Sequence, residues 1–202
     1  MPFWTETDAS LISEPKRKFR FTVQIDGIES GESSANVMWY AKGATKPSFS
    51  IATTEHKYLN HTFYYPGSVT WNEVEIKLVD PVDPDMTATL SDIVVAAGYV
   101  IPGTPDQRST LAKGGAVGSL GQVTINQINA NGDNLEQWVL KNAFITDINY
   151  GDLEYGADEI NELSIKLRYD WATCEVFSAN GSGGSSAANG AKGNGPFFGS
   201  TS

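Results

Sequence analysis

Strict alternation of apolar and polar side chains in three separate segments constrains the fold of this chain most strongly. The alternation occurs within residues 16–28, 74–78 and 163–171. A period of two residues is typical of a strand with one face in the core and the other in solvent. The side chains predicted to face inward are Phe19, Phe21, Val23, Ile25, Val74, Ile76, Leu78, Leu163, Ile165, Leu167, Tyr169 and Trp171. The sequence therefore predicts a mainly β, antiparallel fold.

Two further segments have the marks of β-hairpins. Residues 37–42 return as a short strand after a polar turn, and we expect this strand to pair with the first strand. Residues 121–129 and 137–149 flank Asn131-Gly132, a dipeptide favoured in tight hairpin turns. These segments add at least three strands to the predicted fold.

One helix is predicted, over residues 84–97. Asp83 can cap its N-terminus, Pro84 suits the first helical position, and Gly98 suits a left-handed stop. Its predicted buried stripe consists of Leu90, Ile93, Val94 and Ala97. The glycine-rich segment 102–120 that follows is predicted to be a flexible loop, because it lacks the Gly-Lys-Ser/Thr ending of a phosphate-binding loop.

The length and local composition indicate one domain with two extensions. A chain of 202 residues can bury a substantial core in a single domain. We place this domain at 16–177, after an N-terminal arm at 1–15 whose apolar residues dock either on their own domain or on a neighbouring copy. Residues 178–202 are rich in Gly, Ser, Ala and Asn, so we expect a flexible tail.

Residues 46–66 do not fit a half-buried strand or an amphipathic helix. They are rich in β-branched and aromatic residues, but their apolar positions do not alternate cleanly. We predict an extended arm that ends in a turn at Pro66-Gly67 and buries its apolar side chains on another copy of the chain.

Charge and cysteine content exclude several function classes. A net charge of −10 argues against a protein that binds nucleic acid through phosphate contacts, which require clustered Lys and Arg. A single cysteine, Cys174, excludes an internal disulfide and favours a cytosolic origin. No apolar run is long enough to cross a membrane, and no signal peptide is recognisable, so we expect neither a membrane anchor nor secretion through a cleaved leader.

No set of residues predicts catalysis, a metal or a cofactor. The two histidines, His56 and His61, both lie in the arm and have too few neighbouring ligands for a zinc site. The acidic segment 151–159 lacks the spacing of a calcium-binding loop and is predicted to be a solvated connector. We therefore predict a protein that is not an enzyme and needs no cofactor.

The arm and its surroundings resemble a known family. Lys46-Pro47, the arm, Pro66-Gly67, the run Thr70-Trp71-Asn72-Glu73-Val74-Glu75-Ile76-Lys77-Leu78 and the acidic, proline-containing helix start together resemble the tail tube protein of contractile-tailed bacteriophages. Tailocin and type VI secretion tube proteins are related to that family. The resemblance covers residues 17–172 in element order. It implies an antiparallel β-sandwich or half-barrel with one flanking α-helix, which closes into an inner β-barrel in a hexameric ring.

The resemblance also implies roles for two groups of residues. The implied inter-ring contacts are Phe49, Ile51, Lys57, Tyr58, Leu59, Phe63, Tyr64 and Tyr65. The polar strand faces predicted to include the lumen surface are Glu73, Glu75 and Lys77, and Lys166, Arg168 and Asp170. The implied partners are further copies of the chain, a tail sheath, a baseplate and a tail terminator, with DNA passing through the lumen without specific binding. The implied location is the tail tube of a virion, assembled in the host cytoplasm.

Two other functions stay open at this point. One is a secretion-system or tailocin tube subunit, which would have the same fold; the lumen of a secretion-system tube would carry effector proteins rather than DNA. A monomeric β-sandwich that binds carbohydrate would use the exposed aromatic side chains differently.

Overall fold

The computed structural model of the protein describes residues 15–28, 40–83, 85–101, 103, 110–156 and 158–177. The strands are β1 (Phe21–Ile25), β2 (Ala41–Ala44), β3 (Phe49–Tyr58), β4 (His61–Trp71), β5 (Val74–Val79), β6 (Val123–Ile128), β7 (Asn134–Lys141), β8 (Phe144–Asn149), β9 (Glu162–Arg168) and β10 (Trp171–Val176). The helices are α1 (Met86–Ala96) and α2 (Lys113–Leu120). The predicted 178–202 tail and nearly all of the predicted 1–15 arm lie outside the described residues.

Two four-stranded antiparallel sheets pack together and form the body of the protein. Sheet A has the strand order β1-β6-β7-β10, and sheet B has the order β2-β5-β9-β8. The largest side chains of the shared core are completely or almost completely buried; they include Ile25, Ile76, Leu78, Leu140, Leu163, Ile165 and Leu167. The mainly β, antiparallel sandwich predicted from the sequence is confirmed. Neither sheet closes into a barrel within the described part of a single chain.

The predicted inward residues are buried except for Phe21, which is partly buried, and two residues at the ends of runs. Phe19 is 73% exposed because β1 begins only at Phe21, after a turn. Trp171 is 45% exposed because β9 ends at Arg168. The chain then turns through Tyr169 and Asp170 and enters β10 in the other sheet, so the alternation restarts. The prediction of one continuous last strand is therefore wrong at its C-terminal end.

One predicted hairpin forms and the other does not. The β6–β7 hairpin has its turn around Asn131-Gly132, as predicted. β2, by contrast, pairs with β5 in sheet B, while β1 pairs with β6 in sheet A. The connection between β1 and β2 is long, and a long connection allows the chain to cross between sheets instead of folding back. The predicted strand over 137–149 also divides, because Asn142 has a φ of 55° and ends β7 before β8 begins.

The predicted helix forms as α1, with a different cap. The side chain of Asp85, rather than Asp83, accepts a hydrogen bond from the Ala88 backbone N–H at 3.0 Å. Gly98 ends the helix with a φ of 107°, which a residue with a Cβ rarely adopts. Leu90, Ile93 and Ala97 of the predicted stripe are buried.

The prediction of a single helix is wrong, because the C-terminal part of the predicted 102–120 loop forms α2. Its glycines lower intrinsic helix propensity, but they also allow close packing. A Cβ at Gly115 would lie 3.0 Å from the Ala97 carbonyl oxygen at the end of α1. A Cβ at Gly27, which faces the end of α2, would lie 2.2 Å from the Ser119 carbonyl oxygen. Tertiary contact therefore outweighs local propensity in this segment.

Candidate assembly surfaces

The predicted arm is a two-stranded β-hairpin that projects from the sandwich. Among the described strands, β3 and β4 pair only with each other, from Phe49 opposite Trp71 to Tyr58 opposite His61. Leu59 and Asn60 form the turn. Strands of this length extend about 33 Å. Every residue of the hairpin except Trp71 is exposed. The prediction of an extended arm is correct, and its form is a hairpin.

A β-bulge explains why the apolar positions of the arm do not alternate cleanly. Ile51 pairs with Val69, and Thr53 pairs with Pro66, so β4 contains one more residue than β3 over this interval. The predicted turn at Pro66-Gly67 is therefore wrong, because these residues lie at the bulge inside β4. An extra residue reverses the face to which each later side chain points.

The bulge distributes apolar side chains over both faces of the hairpin. Residues directly opposite each other share a face. One face carries Phe49, Ile51 and Val69 near the foot, and Tyr64 farther out. The other face carries Tyr58, Phe63 and Tyr65 near the tip. Of the predicted inter-ring residues, Phe49, Ile51, Lys57 and Tyr64 therefore lie on the first face, Tyr58, Phe63 and Tyr65 on the second, and Leu59 at the turn.

The tip contains an apolar residue in an unfavourable conformation and environment. Leu59 has a φ of 51° and is 88% exposed. Tight hairpin turns favour Asn, Asp or Gly at positions with positive φ. Neither the backbone conformation nor solvation favours leucine here, and a contact with another molecule would supply the missing burial.

The foot of the hairpin is fixed to the sandwich by aromatic and backbone contacts. The ring centroids of Phe49 and Trp71 are 5.1 Å apart, and those of Trp71 and Tyr169 are 5.9 Å apart. The Asn72 backbone N–H donates to the Ser48 carbonyl oxygen at 2.8 Å. These contacts hold the two ends of the hairpin together where it leaves the body.

A second anchor, at Glu136 in β7, was not predicted from the sequence. Its carboxylate accepts hydrogen bonds from Lys16 at 2.6 Å and Lys46 at 2.9 Å, and also from the Trp138 indole. Burial alone would raise the pKa of Glu136, but the bonds from Lys16, Trp138 and Lys46 together outweigh it and lower the pKa from 4.5 to about 2. Lys46 lies just before β3, so this cluster ties the start of the hairpin to sheet A. The partners are distant in sequence, and the only local signal is a carboxylate at an inward position of β7.

The predicted lumen residues lie mostly on the outer face of sheet B. Glu75 lies opposite Lys166, and Glu73 lies 3.6 Å from Arg168. Lys166 also contacts Asp147 of β8 at 2.7 Å, and this hydrogen bond raises the pKa of Lys166. Glu162 contacts Lys42 and lies near Lys77. These residues place four basic and four acidic side chains together, so the negative charge of the whole chain is not concentrated on this face.

Asp170 is separate from the other predicted lumen residues. It lies in the turn after β9, where its carboxylate accepts hydrogen bonds from Lys113 at 2.7 Å and Asn142 at 2.7 Å. The bond from Lys113 is the main cause of a lowered pKa for Asp170. Asp170 therefore holds α2 against the β7–β8 connection instead of continuing the row of charged residues on β9.

The described residues contain no cluster suited to a metal and no helix suited to a membrane. No group of three or more His, Cys, Asp or Glu side chains could hold a metal ion within that part of the chain. No described helix is both long enough and apolar enough to span a bilayer. The most distinctive feature of the described surface is the exposed, two-faced apolar hairpin.

Comparisons with known proteins identify relatives of the fold but no relatives by sequence. No family model matches the chain, and no curated protein matches it. A solved chain of the sheath–tube complex of PVC, an extracellular contractile injection system, in its extended state superposes with a TM-score of 0.60 at 16% identity. That match covers 85% of this chain and 100% of the other.

Two further structures support the same relationship. A chain from the PVC sheath/tube terminator gives a TM-score of 0.59 at 17% identity, over 82% of this chain and 99% of the other. A chain from the tube-terminating cap of the anti-feeding prophage gives a TM-score of 0.58 at 16% identity. That match covers 88% of this chain and 100% of the other. The protein therefore has the tail tube-like fold of contractile injection systems.

Proposed function

We propose that this protein is the inner tube subunit of a contractile tail. Six copies join side by side in a ring, and rings stack head to tail through the hairpin. A contact between two different surfaces of the same chain extends indefinitely when it does not close, and the result is a filament. The protein has a structural role, with a surrounding sheath, a baseplate and a terminator as its partners.

The main observation that supports this proposal is the exposed hairpin. An isolated two-stranded hairpin is at best marginally stable in water, and this hairpin exposes apolar residues on both faces. Contacts with the next ring would bury both faces and the tip at Leu59. The tail tube-like fold supports the same role.

Closure of a ring would remove the free sheet edges. Each sheet has four strands in strictly antiparallel order, so the two edge strands of a sheet run in opposite directions. An edge of one copy can therefore pair antiparallel with the opposite edge of the next copy. We propose that sheet B closes into the inner barrel, with the predicted lumen residues Glu73, Glu75, Lys77, Lys166 and Arg168 on its inner surface.

Two cargoes fit this tube. The first is DNA, delivered into the host from a virion that was assembled in the host cytoplasm. The second is protein, delivered by an injection or secretion device, and the likeness to chains of extracellular contractile injection systems favours this alternative. Nucleic acid and protein analysis of intact particles purified with their tubes distinguishes the two.

A variant of the hairpin tip, Tyr58→Ser/Leu59→Ser/Phe63→Ser, tests whether the hairpin forms the contact between stacked rings. It removes apolar contact area but leaves the strands and the foot in place, so the domain should fold normally. Negative-stain electron microscopy over a concentration series should show six-fold rings or short stacks in place of the long tubes of the unmodified chain. Val82→Ser is the matched control, because Val82 is fully exposed but lies outside the hairpin.

Two results would contradict the proposal. Long tubes from the tip variant would exclude the hairpin as the stacking contact. A strict monomer of the unmodified chain, even with a preformed baseplate, would exclude the tube itself. Glycan binding by such a monomer would favour the carbohydrate-binding alternative.

A further inference from the structure

A basic groove opens beside the foot of the hairpin. Its volume is about 630 Å³. Lys16, Lys18, Lys42 and Lys46 line it. Its floor includes the apolar side chains of Phe21, Ile125 and Trp138. The groove therefore combines positive charge with an apolar floor, in a chain whose net charge is −10.

The lysines of this groove are only partly neutralised. Lys16 and Lys46 share the single carboxylate of Glu136, and Lys42 contacts Glu162. Lys18 makes no ion pair with any residue in the described segments. Within the described segments, Lys18 therefore has an unpaired positive charge, and Lys16 and Lys46 share one negative charge.

The connector between β8 and β9 has the complementary character. Tyr155 is fully exposed, Leu153 is 91% exposed, and Ile160 is 70% exposed. Asp152 and Glu154 flank Leu153, and neither forms an ion pair within the described part of the chain. We call residues 150–160 the acidic loop.

One hydrogen bond closes the neck of the acidic loop, and a second stabilises the turn at its start. Asn161 donates from its side-chain amide to the Tyr150 carbonyl oxygen at 3.4 Å. The Gly151 backbone N–H donates to the Asn149 side-chain oxygen at 3.0 Å. A closed neck reduces the entropy that the loop would lose on binding.

The part of the groove at Lys46 and the acidic loop lie toward opposite ends of sheet B, whereas Lys42 lies nearer the loop end, where it contacts Glu162. Lys46 follows Thr45, whose backbone N–H donates a hydrogen bond to the Glu75 carbonyl oxygen near the start of β5. The acidic loop ends at β9, whose first residue, Glu162, lies opposite Val79 at the end of β5. When copies stack head to tail, the loop end of one copy faces the hairpin end of the next.

We infer that the acidic loop of one copy docks in the basic groove of the next copy in the stack. The inference rests on the proposed tube function, because it requires head-to-tail assembly. Asp152 and Glu154 approach the unpaired Lys18, while Leu153 and Tyr155 cover the apolar floor. Complementary charge would also fix the register of the two copies and disfavour the reversed orientation.

Zero-length cross-linking tests the contact in the unmodified protein. Equal amounts of ¹⁵N-labelled and unlabelled full-length chain are mixed, assembled and treated with a carbodiimide, which joins a lysine amine to a carboxylate in direct contact. We expect peptides that link Lys18 or Lys16 to Asp152 or Glu154 and contain one labelled and one unlabelled partner. Mixed labelling shows that the link joins two copies.

Charge exchange tests whether the contact contributes to assembly. Lys18→Glu and Glu154→Lys should each raise the protein concentration needed for tube formation by about tenfold, because like charges then face each other. The double variant should restore the original concentration within about threefold, since the pair is re-formed with reversed sign. Glu175→Lys is the control, because Glu175 is exposed on sheet A, outside the groove and the acidic loop; it should assemble like the unmodified chain.

The outcomes separate this inference from the proposed function. Tubes without mixed-isotope links, or single variants that assemble like the unmodified chain, would overturn the docking of the acidic loop and leave the tube function standing. Two weakened single variants without recovery in the double variant would also overturn the pairing. Absence of tubes from the unmodified chain under every condition, including addition of a baseplate, would overturn both.

Discussion

At the scale of single residues, Glu136 links the hairpin to the body of the protein. It is a mostly buried carboxylate that accepts hydrogen bonds from two lysines far away in sequence. A buried charge is stable only when its partners are in place, so loss of any one partner is costly. The orientation of the hairpin foot therefore depends on the charge of this residue.

Glu136→Gln should lower the free energy of unfolding by about 1–3 kcal/mol at pH 7, because two lysines lose their shared anion. The pKa of Glu136 is lowered to about 2, so its stabilising effect is complete above its ordinary value of 4.5 and declines as the pH falls toward 2. Denaturant unfolding at pH 7 and at pH 3 measures the difference between variant and unmodified chain. That difference should shrink at pH 3. Glu175→Gln, at an exposed position of β10, should have little effect at either pH.

At the scale of elements, α2 and the hairpin both depart from their local sequence signals. The three glycines of α2 predict a loop, yet the segment packs as a helix against the end of α1 and the turn after β1. The hairpin looks irregular in sequence because a bulge changes the alternation midway along β4. In both elements, close contact or strand pairing decides the conformation.

Replacing glycines around α2 with alanine should change the free energy of unfolding in opposite directions at two positions. Gly118→Ala should raise the free energy of unfolding by about 0.5–1 kcal/mol, because alanine favours a helix and, among the described residues, no atom outside the local helix backbone lies within 4 Å of the new Cβ. Gly27→Ala should lower it by about 1–3 kcal/mol, because its Cβ would overlap backbone atoms of Ser119 and Leu120. Thermal or denaturant unfolding of the two variants measures both effects. Equal effects of the same sign would contradict the close packing of α2.

At the scale of the whole molecule, the proposed assembly assigns a different environment to each exposed surface. The outer face of sheet B carries balanced charges, whereas the outer face of sheet A carries mainly uncharged polar side chains such as Gln24 and Asn126. A charge-balanced lumen would neither attract nor strongly repel a polyanion along its length. The hairpin and the acidic loop account for most of the remaining exposed apolar area in the described segments.

Cysteine labelling in assembled tubes tests these environments. Lys77→Cys should react with a small maleimide but not with a bulky polymer-linked maleimide, because the proposed assembly places it in a narrow lumen. Gln24→Cys should react with both reagents, and Leu59→Cys with neither. Native Cys174 should react with neither reagent, because its thiol is buried. Burial, together with a smaller effect of Glu136, raises the pKa of this thiol to about 11. Labelling of Lys77→Cys by the bulky reagent would exclude sheet B from the lumen.

The sequence by itself determined the β class, most inward-facing residues, the β6–β7 hairpin, α1 and the existence of an extended, exposed arm. These features depend on periodicity and on turn and cap residues, which act over a few positions. Only the tertiary structure decided the partners of β1 and β2, the α2 helix, the bulge in the arm and the Glu136 cluster. Each of these depends on contacts between residues far apart in the chain, and local preferences do not encode such contacts.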